Sequence, residues 1–393
     1  MTTDFRSDRA GSRAAANEGK KMNLLRKHSR LTTVAVAAAA MMALAGCGGS
    51  NSGGATSSAP APSSATIAPE TSPAAPSPEP PAGPAEIRIA YQAIPNGDLV
   101  VKNLGLLEAA LPGTTITWTK FESGGDVNTA VIAGAVDIGL AGSSPVTIGL
   151  AQPIPYQVPW IFDVIGPAES LVVRNESGIT DLKGLEGKKI GTPFASTAHY
   201  SLLAALEGAG ITEDKVTLVD LQPPDILAAW ERGDIDAAYV WSPTLDELAK
   251  TGTILITSAD IAKAGKPTYD LAVVTNEFSS AYPDAVVAWL KAQDEAVALL
   301  NNDPEAAAAA IAAELGITPE EALAQIKGLT FLSGAEQISP DWLGTPEAPG
   351  KFADTLLATG EFLVNQGKIP TAPTLETLRA GIATQLLQQA FGS

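Results

Sequence analysis

The sequence predicts an α/β protein built as two lobes. Three observations predict it. From Glu86 onward, short apolar strands alternate with helix-period stretches, the pattern of α/β units on parallel sheets. The body beyond the N-terminal region has about 310 residues, more than a single core usually organises. Several strands also end in hydroxyl-rich stretches that open helices, the place where open α/β sheets take ligands.

The chain has 393 residues. It begins with a region of different texture. Lys20, Lys21, Arg26, Lys27 and Arg30 precede the apolar run 31–45, LTTVAVAAAAMMALA. That run has signal-peptide length and is short for a membrane span. It leads into LAGC, Leu44 to Cys47, which looks like the lipobox of bacterial lipoproteins. The expectation is a signal peptide over 1–46, cleaved before Cys47, with Cys47 lipidated and the chain anchored on the extracytoplasmic face of the membrane. Cys47 is the single cysteine, so no internal disulfide exists. Residues 47–85 read as a tether. Nine prolines fall within 48–84, with Glu70 and Glu79 as its only charges, and such a segment buries no core.

The body follows. Strands are predicted at 87–92, 136–142, 170–175, 188–193, 216–221, 236–241 and 269–275. Helices are predicted at 126–135, 198–209, 225–232 and 282–301, and the Ala-rich run 306–313 is a strong helix former. Beyond residue 280 the pattern is mainly helical.

Charge narrows the function classes. The net charge is −18, and residues 1–46 carry eight Lys/Arg and three Asp/Glu, so the remainder carries −23. No basic stripe exists to neutralise phosphates, which argues against nucleic acid. With one cysteine and two histidines, His28 and His199, no zinc cage is expected, and no cofactor motif is present. A serine hydrolase would have to use His199 as base, and no serine sits in a G-x-S-x-G elbow. No catalytic residue is predicted.

The strand ends carry the candidate binding chemistry. Tyr91-Gln92, Ser143-Ser144-Pro145, Ser196-Thr197 and Trp241-Ser242-Pro243 follow four of the strands. Each hydroxyl can simply cap its helix. Several helix starts gathered at facing strand ends also make an anion site from free N–H groups and dipoles, without Lys or Arg.

At these residues the chain resembles the nitrate/sulfonate/taurine substrate-binding family of ABC importers, its taurine-binding members above all. The matching stretches are FESGGDV (121–127), DIGLAGSSP (137–145), ESLVV (169–173), KKIGTPFASTAHYSLLAAL (188–206), LQPPDILAAWERGDIDAAYVWSP (221–243) and PTYDLAVV (267–274). The resemblance is close over 86–300, looser in the C-terminal helices and poor over 152–165. It implies a two-lobed type II periplasmic-binding-protein fold with a ligand cleft between the lobes. Lobe 1 would comprise 86–174 and 271–393, lobe 2 would comprise 175–270, and the crossings would lie near Arg174–Gly178 and Tyr269–Val274.

The resemblance also implies a monomeric, extracytoplasmic solute-binding lipoprotein that delivers taurine or a close sulfonate to an ABC permease. Alkanesulfonates, nitrate or a thiamine precursor are the alternative ligands. Ser143, Ser144, Ser196, Thr197 and His199 would contact the sulfonate, with Gln92 nearby. Glu169 and Asp270 would meet an ammonium, which alkanesulfonates and nitrate lack. Glu169 has a second reading as a solvated strand-edge charge, and Asp270 as a turn or hinge residue. Trp241 and Tyr91 would wall the pocket or belong to the core, and His199 would donate a hydrogen bond or merely pack.

Overall fold

A computed structural model describes residues 83–392. The expected signal peptide, Cys47 and all but the last three residues of the expected tether lie outside the described residues. Among the described residues, no helix is long and apolar enough to cross a membrane.

Two sheets organise the body. Sheet one contains β1 (Glu86–Gln92), β2 (Thr115–Phe121), β3 (Ile138–Gly142) and β4 (Tyr156–Ile165). Sheet two contains β5 (Glu169–Arg174), β6 (Lys189–Thr192), β7 (Thr217–Asp220), β8 (Ala237–Trp241) and β9 (Gly252–Thr257). The chain then returns to sheet one with β10 (Tyr269–Thr275) and the two-residue β11 (Leu329–Thr330). The strand orders are β11-β4-β10-β3-β1-β2 and β7-β6-β8-β5-β9.

Neither sheet is wholly parallel, contrary to the expectation from sequence. β10 runs antiparallel between β3 and β4, and β5 runs antiparallel between β8 and β9. β5 and β10 are each the first strand after a crossing, so the crossing itself turns the chain round there; the short β11 is also antiparallel to β4. Pattern alone does not reveal direction, because a strand covered on both faces reads as one apolar run in either sense. Sheet two illustrates this cover. Leu171, Val173 and Tyr239 pack on one face, while Val172, Ala238 and Val240 pack on the other.

The first crossing also differs from expectation. Strand 169–174, assigned from sequence to lobe 1, pairs with β8 and β9 in sheet two. The chain therefore changes lobe at Gly166–Ala168, not at Arg174–Gly178. The reason is β4, a ten-residue strand in the stretch where the resemblance is poor. It takes the place in sheet one that 170–175 was expected to fill. The second crossing ends at Tyr269, near its expected place. A hydrogen bond from Ile165 N–H to the Thr268 carbonyl (3.0 Å) ties the two crossings together.

The predicted helices form with small shifts, as Gly124–Ile132, Thr197–Gly208, Pro223–Arg232, Pro283–Asn302 and Pro304–Leu315. Their ends follow local chemistry. The last of them starts with Asp303 capping and Pro304 in the first turn, and ends at left-handed Gly316 (φ 70°). Trp160, Phe162, Trp289 and Phe352 are the largest fully buried side chains of the core around sheet one.

Candidate functional site

The ends of β1, β3 and β8, the start of β5 and the start of β10 meet between the two sheets. They enclose a cleft with about 480 Å³ of empty space, counting its open mouth. Sheet one supplies Gln92, Ile94, Gly124, Gly142, Pro145, Ile165, Asp270 and Leu329, and sheet two supplies Ala168, Glu169, Ser196, Thr197, Trp241 and Ser242. No Lys, Arg or His is among these lining residues.

Six of the nine residues expected at the site line this cleft. They are Gln92, Glu169, Ser196, Thr197, Trp241 and Asp270. Ser143, Ser144 and His199 do not. Tyr91 does not either; it packs edge-on against Trp118 (6.2 Å) because strand alternation sends Gln92 and Tyr91 to opposite sides.

The hydroxyls divide by role. Ser196 is a cap. Its Oγ accepts from His199 N–H (3.1 Å) and donates to the Pro193 carbonyl (2.6 Å), so its side chain is already committed. Ser143 and Ser144 cap nothing. The helix Ser143–Ala151 begins from Gly142, and no side chain bonds its N-terminus. Ser143 Oγ accepts instead from the Tyr269 N–H (3.2 Å), stitching β3 to β10. The start of this nine-residue helix therefore keeps unbonded N–H groups and its positive dipole end beside the cleft wall at Gly142 and Pro145.

Glu169 is no solvated edge charge. It is 1% exposed and accepts from three hydroxyls: Thr197 Oγ1 (2.6 Å), Ser258 Oγ (2.7 Å) and Ser201 Oγ (3.4 Å). Burial pushes its carboxyl up to about 7, against the opposing pull of those three donors. Asp270 is half-buried at the start of β10. Burial first, and then the Glu169 charge, push it up to about 8. Two acids thus share one end of the cleft with no cation among its lining residues.

His199 serves the turn before the helix Thr197–Gly208. Ala195 adopts a left-handed conformation (φ 58°), which costs a non-glycine residue about 1–2 kcal/mol. The Ala195 N–H donates to His199 Nδ1 (3.2 Å), and the Phe194 ring stacks on the imidazole at 4.6 Å. Burial lowers the imidazole to about 4, so it is neutral at physiological pH.

Sequence reasoning missed Gly124 and the apolar members Ile94, Ile165 and Leu329, and it gave Pro145 and Ser242 only as strand-end residues with no assigned contact. Gly124 and Pro145 lie within the stretches FESGGDV and GSSP, so their signal was present. Leu329 belongs to a two-residue strand with no pattern to read.

A family model described as NMT1/THI5 like matches residues 115–307. The taurine-binding periplasmic protein of Escherichia coli (strain K12) is 37% identical over 264 residues, covering 66% of this chain and 80% of that protein. A putative aliphatic sulfonates-binding protein of Bacillus subtilis (strain 168) is 31% identical over 215 residues, covering 54% and 64%. Among solved structures, the alkanesulfonate-binding protein of Xanthomonas axonopodis pv. citri, bound to MOPS, aligns with a TM-score of 0.62 at 22% identity, covering 77% of this chain and 99% of that one. That structural likeness shows the periplasmic-binding-protein fold, with a cleft between two lobes. The chain belongs to the NMT1/THI5-like family, as a substrate-binding protein of the periplasmic type.

Proposed function

We propose that this protein captures taurine or a close amino-sulfonate outside the cytoplasm and hands it to an ABC permease. A lipid on Cys47 would hold it at the membrane, with the tether giving the body reach and the body acting as a monomer. The observation that carries the reading is the polarity of the cleft. An uncapped helix N-terminus stands at Gly142–Ser144, suited to a sulfonate, and the carboxyls of Glu169 and Asp270 suit an ammonium. Of the two acids, Asp270 is the better ammonium partner, because Glu169 already accepts three hydrogen bonds. The indole of Trp241 would cover the ligand and add a cation–π contact. The 37% identity to a taurine-binding protein supports the same ligand class.

The mechanism is closure. Ligand contacts to Gln92, Gly142 and Asp270 on one lobe and to Thr197 and Trp241 on the other favour the closed arrangement. Calorimetry with taurine, ethanesulfonate, nitrate and γ-aminobutyrate tests the reading. Taurine is expected to bind most tightly, with Asp270→Asn weakening it tenfold or more and leaving ethanesulfonate within a few-fold. Ethanesulfonate binding as well as taurine would remove the role of the acids, and no sulfonate binding would remove the ligand class.

A further inference from the structure

Asp163 stands beside the cleft with no partner. It is fully buried in β4, and neither of its carboxylate oxygens meets a hydrogen-bond donor. An isolated buried carboxylate is costly and persists only where something compensates it. Its neighbour across the sheet is Asp270, directly opposite in the β4–β10 register. Residues opposite one another in an antiparallel pair present their side chains on one face, with Cβ atoms about 4.5–5.5 Å apart. The register slips by one residue immediately after this pair, at Phe162, so a bulge fixes the placement of Asp163. Phe162 turns the other way, onto Trp289 in the core, and Ile165, two residues along from Asp163, lines the cleft. Asp163 is therefore aimed to the cleft side, behind Asp270.

We propose that Asp163 determines specificity through Asp270: the two carboxyls hold a proton in the empty cleft and release it when a ligand ammonium takes its place. This rests on the reading of the site as an amino-sulfonate cleft. On binding, one carboxyl O–H bond breaks, the proton passes to the solvent buffer, and ammonium N–H groups donate to the freed oxygens. No electrons move. A ligand with a sulfonate and no ammonium leaves the proton in place and gains nothing from the pair.

The surroundings supply no other counter-charge. The charges that act on Asp163 are those of Asp270 and Glu169, and both oppose its ionisation, as does burial. β11, the other neighbour of β4, brings Leu329 and Thr330. The helix Thr384–Phe391, which packs on β4, carries no charge. The helix Gly334–Gln337 reaches β4 through the Gln337 amide, while Glu336 closes its own capping box with Ser333. Glu277, in the helix after β10, lies at the far end near Arg88.

Calorimetry on the full chain at pH 7, in two buffers of different ionisation heat, counts the protons released. Taurine is expected to release a substantial fraction of a proton and ethanesulfonate close to none. Asp163→Asn, nearly the same shape, is expected to lower that count and to cut the preference for taurine over ethanesulfonate at least tenfold. A variant that weakens both ligands equally shows a merely structural role and overturns the proposal, as does one that keeps the count and the preference. Should Asp163→Asn not fold, the wild-type count decides alone. Taurine bound without proton release overturns the role of Asp163 and leaves the ligand class standing. A wild-type protein that binds neither sulfonate overturns both.

Discussion

Gly142 and Thr197 face each other across the cleft so closely that a Cβ on Gly142 would stand 2.4 Å from Thr197 Cγ2. One belongs to β3 in lobe 1 and the other to the first turn of a lobe 2 helix. The absence of a side chain at Gly142 is what lets the lobes meet at this point.

Gly142→Ala is accordingly expected to hold the lobes apart. The backbone of Gly142 is extended (φ −68°), so alanine adds no local strain and lobe 1 keeps its fold. Taurine affinity should fall tenfold or more with the melting temperature nearly unchanged. Calorimetry beside a thermal scan checks it. Wild-type affinity would show that closure does not bring these residues together.

Thr197→Val keeps the shape of the side chain and removes its O–H. Glu169 then keeps the donors Ser258 and Ser201 and loses the one at 2.6 Å. Leaving a buried acceptor short of a donor costs about 1–3 kcal/mol. Urea unfolding is expected to show that loss. A stability within a few tenths of wild type would mean that the network closes without Thr197.

His199→Leu separates packing from ligand contact. The imidazole is absent from the cleft wall and accepts the N–H of strained Ala195. Loss of that acceptor is expected to lower stability by about 1–3 kcal/mol and to change taurine affinity only a few-fold. A hundredfold loss of affinity at unchanged stability would restore His199 to the site.

The pH dependence of the ligand-free protein follows from its buried acids. Burial pushes Glu169 and Asp98 up to about 7 and Asp270 up to about 8, and Asp163 is raised as well. Between pH 5 and 8 the folded state keeps protons on these groups that the unfolded chain has lost. Stability from them is present at low pH and is lost as pH rises through the folded values. His199, lowered to about 4, works the other way and gains stability as pH rises from 4 to its unfolded value near 6.5. Four acids outweigh one imidazole, so the melting temperature is expected to fall from pH 5 to pH 8. Taurine should flatten that slope by favouring the ionised acids. A melting temperature that rises across this window without ligand would contradict the placement of the acids.

Much of the fold was legible, because β1, β3, β5, β6, β8 and β10 each carry a compact apolar run ending in a distinct turn. What failed was long-range pairing. ESLVVR suits either sheet, and only the presence of β4 sends it to lobe 2. The lining of the candidate cleft was legible wherever a strand end coincided with it, as at Gln92, Ser196-Thr197 and Trp241. The sequence misled at Ser143 and His199, because a hydroxyl or imidazole near a helix start can serve either the backbone or a ligand, and here Tyr269 and Ala195 take them. Asp163 gave no signal, since its importance lies in which residue stands opposite.

The C-terminal helix Phe352–Asn365 has a last consequence. Its end, with Ile369, leaves lobe 1 to pack Phe362, Leu363 and Ile369 against Tyr200, Leu203 and Ile261 of lobe 2, and Lys368 pairs with Glu213 (2.7 Å). Two strands of chain between bodies leave both a swing and a twist free. This oily third attachment, set apart from the crossings, removes most of that liberty. Release of a ligand is then expected to proceed by one body sliding along the other, a shear rather than a hinge swing.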